Sequence, residues 1–281
     1  MKSNVHLILG NPLVKKAGIY ILVFLILASI LYPLYIMLKI SLSKPQELFQ
    51  QRPPYGIHQP TLRHFYDVVR SQGVFLRPLL KSLVVGLGVS VFSLFIAVPA
   101  AWGMVHFDYR VKYIFLVIIF MSRMIPEVSI ALPVSISFIK LGLFDTYAGL
   151  MLAHMIRVLP IACFIMVGVF SDFPRVLEEQ AIMDGCSRFQ ALWRIILPLS
   201  ITGITVAGIF SFLFSWDEFI YASYLTLAEP TMPLKMYYYV SRGNVFYAAT
   251  YAIIITVPVV LLTLFLQKYL KPEYLSGGIK G

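Results

Sequence analysis

Charge is scarce in this sequence: Asp, Glu, Lys and Arg make up 13% of its 281 residues, about half the share usual in a soluble domain. Apolar side chains make up 59%, against roughly 45–50% in soluble chains, and mean hydropathy is +0.82. So few charged groups cannot cover the apolar surface of one water-soluble core, and the same figures exclude disorder and a collagen-like chain. Cysteine is nearly absent. Cys163 falls in an apolar run and Cys186 in a polar loop, a placement that excludes a disulfide framework and a cysteine metal site. Internal repeats and low-complexity tracts are missing, as is any G-x-x-x-x-G-K-S/T run able to cradle a nucleotide phosphate. What remains is a chain whose solvent is the bilayer.

Lys and Arg outnumber Asp and Glu 23 to 13, a formal net charge of +10. A nucleic-acid binder gathers its cations on one face. Here they are spread through short loops between apolar runs, where they set topology and meet anionic headgroups, so the chain is read as meeting membrane lipid and no nucleic acid. Six runs reach the ~20 apolar residues needed to cross hydrocarbon: 17–38, 82–105, 111–138, 147–170, 201–225 and 248–266. The first is too long for a secretory h-region and no small-x-small cleavage site follows, so it reads as a retained anchor. Six spans put both termini on one side. With the termini inside, segments 1–16, 106–112, 171–200 and 268–281 hold 11 Lys and Arg, and the outside loops hold 8, a bias of the sign expected for cytoplasmic termini. The reading is an all-α membrane protein with a cytoplasmic segment 1–16, a six-helix membrane domain 17–270 and a cytoplasmic tail 271–281.

Pro99, Pro126, Pro133, Pro160 and Pro258 lie within the spans. Each removes a backbone donor and kinks its helix, which neighbouring helices or water can make good. Kinked helices suit a bundle around a cavity and are also ordinary in membranes. In the Pro-rich outer loop 41–81 a short helix is expected to start at Thr61, capped by its hydroxyl. Leu62, Phe65, Tyr66 and Val69 would be its apolar face.

The inside loop 171–200 is patterned as two short helices. Asp172 with Pro174 marks a start, and residues 175–184 contain no breaker. Gly185 sits where a left-handed C-terminal cap favours glycine. Ser187-Arg188-Phe189-Gln190 then reads as a capping box, opening a second helix with Phe189, Leu192, Trp193 and Ile196 on one face. Helices this short are marginal alone. The second can lie on its own bundle, while the first offers small residues to another surface, either a partner protein or simply the rest of the chain.

Glu179-Gln180-Ala181-x3-Gly185-x9-Ile195-x-Leu197-Pro198 resembles the EAA motif, E-A-A-x3-G-x9-I-x-L-P, of permease subunits in binding-protein-dependent ABC importers. Only Gln180 departs from it. Residues 141–150, Leu-Gly-Leu-Phe-Asp-Thr-Tyr-Ala-Gly-Leu, are similar to that family's K-L-G-L-x-N-T-Y-x-G-L stretch, with Asp145 for the usual Asn. Ser215-Trp216-Asp217-Glu218-Phe219 resembles its S-W-N-E-F, and the tail 276–281 is also typical. Together these resemble the carbohydrate importers, specifically the maltose-type second permease. The resemblance implies a type I ABC importer permease fold in a bacterial or archaeal plasma membrane, paired with a second permease, two ATPase subunits and an extracytoplasmic solute-binding protein. It further implies that Glu179, Gln180, Ala181, Asp184, Gly185, Ile195, Leu197 and Pro198 form the ATPase-coupling element. ATP and Mg would be bound by the partner subunits, with no cofactor and no hydrolysis in this chain.

Several charges sit at membrane depth, where they are costly and face a partner or a wet cavity. Arg123 and Glu127 lie four apart in the third span, His154 and Arg157 three apart in the fourth, and Asp217 with Glu218 in the fifth. They either line a solute path or form interhelical pairs, Arg123 with Glu127 and Arg157 with Asp217 or Glu218. Trp216 and Tyr221, with Ser215, offer the flat faces and hydroxyls that sugars use, although packing is the commoner use of such aromatics. Two other classes are weighed: a self-sufficient secondary transporter, against which the two-helix loop argues, and a membrane-embedded enzyme, for which no cluster of nucleophile, base or metal ligands is evident.

Overall fold

The computed structural model describes residues 12–267; the expectations for 1–11 and 268–281, including the tail motif, lie outside the described residues. Every regular element in that range is helical. Helix α1 (Pro12–Leu42) extends the first apolar run at both ends. A short α2 (Arg63–Arg70) leads into α3 (Gln72–Val105). The third run is divided between α4 (Tyr109–Met121) and α5 (Glu127–Lys140). After α6 (Tyr147–Ser171), the 171–200 loop folds as α7 (Arg175–Met183) and α8 (Arg188–Leu199). The fifth run is α9 (Ile201–Trp216) with a separate α10 (Ile220–Leu225), then α11 (Met232–Ser241) and α12 (Val245–Leu266) complete the order. Helices α1, α3, α6 and α12 are each long and apolar enough to cross a membrane, and the bent pairs α4 with α5 and α8 with α9 raise the number to six when each pair is taken as one span.

The core lies between α3, α6 and α9. Near the 171–200 loop, Ala97 and Ala101 of α3 meet Ala162 and Met166 of α6 and Ala207 of α9, with Leu192 and Ile196 of α8 closing the base. Small side chains let these backbones approach closely, which is how helices associate without a hydrophobic driving force in lipid. At the far end Val85, Leu150 and Ala153 enclose Tyr221, Ala222 and Leu225 of α10. Helix α1 stands outside this core and leans on α12.

Residues 141–146 join α5 to α6 at the far end. Gly142 has φ +70°, and the amides of Gly142 and Leu143 return to Ile139 and Phe138, closing α5. Asp145, at φ +54°, accepts the amides of Leu227 and Ala228 (3.0 and 3.1 Å). Thr146 caps α6 by accepting the Gly149 amide at 3.0 Å. The buried Lys81 of α3 donates to the Glu229 carbonyl at 2.5 Å and lies 3.7 Å from Asp145 Oδ1.

The α2 expectation needs correction. Leu62, not Thr61, is the N-cap, and Thr61 Oγ1 accepts only the Arg63 amide, at 3.2 Å. The buried face is His64 with Val68, whereas Leu62, Tyr66 and Val69 are exposed. His64 wins the inner position because its ring stacks on Phe246 of α12 (4.9 Å) and its Nε2 lies 3.1 Å from the Ser43 carbonyl. A satisfied imidazole can be buried.

Candidate coupling loop and substrate-path residues

In the 171–200 loop, chain chemistry sets the shape. Asp172 is the C-cap of α6 rather than the start of α7, whose N-cap is Pro174. Pro174 disfavours the α conformation for the residue before it and stands in extended conformation itself, which separates the two helices. Helix α7 ends as expected at Gly185, with φ +89°. The Gly185 amide returns to Ile182 and the Cys186 amide to Ala181, both at 3.0 Å. The Ser187 and Gln190 side chains then satisfy each other's backbone amides at 3.3 and 2.9 Å, the reciprocal capping box that starts α8.

The apolar face of α8 is split. Leu192 and Ile196 are buried against the bundle, but Phe189 and Trp193 stay exposed and stack edge to face on each other at 6.0 Å. A π turn over Leu192–Ile196 adds a residue to that turn and shifts the face. Of the motif positions, Ala181 is buried, Ile195 and Leu197 are half-buried, and Glu179, Gln180, Asp184, Gly185 and Pro198 are exposed. Pro198 lies just before the 79° bend into α9.

The third span is broken. A 3₁₀ turn at Ser122–Met124 is followed by Ile125 and Pro126 in extended conformation, and α5 leaves at 87° to the preceding helix. Arg123 and Glu127 therefore do not share a helix face and do not pair. Glu127 Oε1 instead lies 3.3 Å from Arg157 Nε. The Arg123 and Arg157 guanidinium carbons each lie 5.6 Å from the centre of the Phe214 ring, within cation–π range.

The remaining candidates go elsewhere. Ser215 and Glu218 meet His154: its Nδ1 is 2.8 Å from Ser215 Oγ and its Nε2 3.0 Å from Glu218 Oε2. Arg157 thus pairs with neither Asp217 nor Glu218. The same carboxylate accepts the amides of Tyr221 (2.7 Å) and Ala222 (3.1 Å), so it also caps α10. This Ser–His–Glu group has the composition of a hydrolytic triad, yet all three members are buried and the Glu is engaged by backbone. Its geometry braces α6, α9 and α10. Trp216, 1% exposed, donates to the Ile255 carbonyl at 3.1 Å and stacks on Phe212 at 5.5 Å. Tyr221 is buried and its hydroxyl has no partner among the described residues, while Asp217 is exposed.

Residues 90–275 match the family model of the binding-protein-dependent transport system inner membrane component. A probable ABC transporter permease protein of Sinorhizobium fredii is 31% identical, over 81% of this chain and 83% of that one. The sulfoquinovosyl glycerol transport system permease protein of Agrobacterium fabrum is 27% identical over 93% of each chain. The arabinooligosaccharides transport system permease protein of Bacillus subtilis is 28% identical over 96% and 99%. In fold, the chain is similar to one in the crystal structure of a bacterial ABC transporter involved in import of the acidic polysaccharide alginate. That match has a TM-score of 0.76 at 20% identity and covers 93% of this chain and 99% of the other. A second alginate transporter structure, in complex with a pentasaccharide-bound periplasmic protein, matches with a TM-score of 0.63 at 15% identity and covers 92% and 97%. With a helical bundle of six spans and the family model covering most of its length, the chain belongs to the binding-protein-dependent transport system inner membrane components, the membrane-spanning permease subunits of ABC transporters.

Proposed function

We propose that this chain forms half of the translocation path of an ATP-driven sugar importer. A second permease supplies the other half, and a solute-binding protein delivers the sugar outside. Two ATPase subunits bind ATP and Mg on the cytoplasmic side, where both termini lie; this chain takes no cofactor and hydrolyses nothing. The sugar reading is supported by relatives named for glycoside and oligosaccharide transport.

One observation carries the coupling role: α7, closed by the Gly185 turn and followed at once by the capping box that starts α8, leaves Glu179, Gln180, Ile182, Met183 and Asp184 exposed. In this reading Glu179 meets polar or basic groups of the ATPase groove, and Gly185 turns the chain away sharply. Ala181 seats the underside, and Ile195, Leu197 and Pro198 carry the motion into α9. For the solute, the guanidiniums and carboxylates of Arg123, Glu127, Arg157 and Asp217 suit sugar hydroxyls, and the Phe214 ring suits the C–H face of a sugar. Ser215, Trp216, Glu218 and Tyr221 then support that path from behind.

Co-purification of the assembled complex tests this reading. Glu179→Lys combined with Gly185→Trp is expected to release the ATPase subunits and abolish uptake. Unchanged assembly and uptake would overturn the coupling role, and uptake that follows an ion gradient without ATPase subunits would favour a secondary transporter.

A further inference from the structure

Helix α7 has little to hold it at a fixed angle. Only Ala181 among its nine residues is buried, and it hangs between the short link 172–174 and the turn at Gly185. A lever so mounted would swivel, since apolar packing normally supplies most of a short helix's stability. Two polar contacts tie its first turns to the end of α3. Arg175 Nη2 donates to the Val105 carbonyl at 3.1 Å. Glu178 Oε1 lies 2.8 Å from His106 Nε2.

The His106 ring is itself held. Its Nδ1 lies 2.7 Å from the Trp102 carbonyl, and the Trp102 ring packs edge-on at 4.9 Å. Both ring nitrogens thus face acceptors. His106 is also the C-cap of α3. The contact to Glu178 thus joins a ring already fixed on α3 to the first turns of the lever.

We propose that His106 and Glu178 form a pin that sets the tilt of α7 against the bundle, a positioning pair that makes the lever stiff enough to turn ATPase closure into solute movement. This rests on the coupling role proposed above, and it assigns neither residue to the docking surface. Helix α7 stays attached to α6 and α8 without the pin, but its angle is no longer fixed.

The test uses the complete complex, both permeases with ATPase subunits and binding protein, in liposomes. His106→Ala and Glu178→Gln are expected to retain the ATPase subunits and wild-type melting within a few degrees. Solute moved per ATP hydrolysed should fall about fivefold or more, the low end of typical coupling energies. His106→Gln, whose amide can still donate to Glu178, should retain most of the yield that His106→Ala loses. Wild-type yield in His106→Ala, a loss in His106→Gln as large as in His106→Ala, or loss of the ATPase subunits from His106→Ala would each overturn the pin. Gly185→Trp in the same assay judges the coupling role separately, because it alters docking and leaves the pin intact.

Discussion

Asp145 and Lys81 are paired across the far end of the bundle, carboxylate to ammonium at 3.7 Å, with the lysine only 2% exposed. The related motif ordinarily carries Asn where this chain has Asp145. Asn suits the left-handed backbone at least as well, but it cannot neutralise a buried ammonium and offers one acceptor oxygen to the two amides of Leu227 and Ala228. Asp145→Asn is therefore expected to destabilise the protein by about 1–2 kcal/mol, less than the ~3–5 kcal/mol of a fully buried pair because Asp145 is partly exposed. Adding Lys81→Met should recover much of the loss. Thermal unfolding in detergent gives both numbers, and additive effects of the two substitutions would count against the pairing.

Glu218 holds more of the fold than either of its side-chain partners. Glu218→Ala removes the cap of α10 and leaves His154 unpaired, with an expected cost of roughly 3–5 kcal/mol. Ser215→Ala removes one hydrogen bond and should cost about 1 kcal/mol. Melting temperatures that rank Ser215→Ala as the more damaging change would contradict the brace.

Glycines 149 and 185 should respond to very different degrees. A Cβ at Gly149 would run into the Leu143 carbonyl, whereas one at Gly185 meets nothing within 4 Å and adds only the strain of φ +89°. Gly149→Ala is expected to cost about 3 kcal/mol or more through the backbone clash, and Gly185→Ala about 1 kcal/mol. Expression and thermal unfolding of the two variants side by side measure the difference.

Arg123 makes no ion pair among the described residues, so removing its charge strands no partner. Arg123→Gln should leave the melting temperature within a few degrees and raise the KM for uptake by about tenfold, roughly 1.4 kcal/mol. Trp216→Phe should do the reverse, keeping KM within about twofold while losing the bond to Ile255, about 1 kcal/mol of stability. Uptake kinetics beside unfolding data separate the two roles.

In the loop before α2, the His58 amide donates to Glu47 Oε1 at 2.9 Å. That bond, then the Gln59 amide and the His58 ring, hold the Glu47 carboxyl below its ordinary range against the opposing effect of burial. A lowered folded value means that the stabilisation is complete above the ordinary carboxylate range and is lost as pH falls through the lowered one. Exchange protection of the His58 amide, corrected for intrinsic rates, should be flat from neutral pH to about pH 5 and drop below about pH 4. Glu47→Gln should remove that dependence.

The parts of this structure that were legible in the sequence are those made by neighbouring residues. Gly185, Ser187 and Gln190 act within a few positions of themselves, so the two-helix loop can be read without knowing what surrounds it. The spacing of Arg123 and Glu127 misleads because an i, i+4 pair presupposes an unbroken helix. Pro126 announces a kink, but its angle depends on packing of the whole bundle. The His154 cluster joins residues 61 positions apart, and local periodicity carries no information over that distance. Its one clue was chemical: a histidine in an apolar span needs a polar partner, and Ser215 and Glu218 were on offer in the fifth. The buried face of α2 depended likewise on Phe246, far away in the chain.

The elbow at Ile125–Pro126 has a consequence for where this subunit can live. An interrupted helix leaves peptide groups that acyl chains cannot hydrogen-bond. That corner must therefore be turned towards water or a neighbouring polypeptide, and a solitary copy with the corner bathed in oil would be penalised.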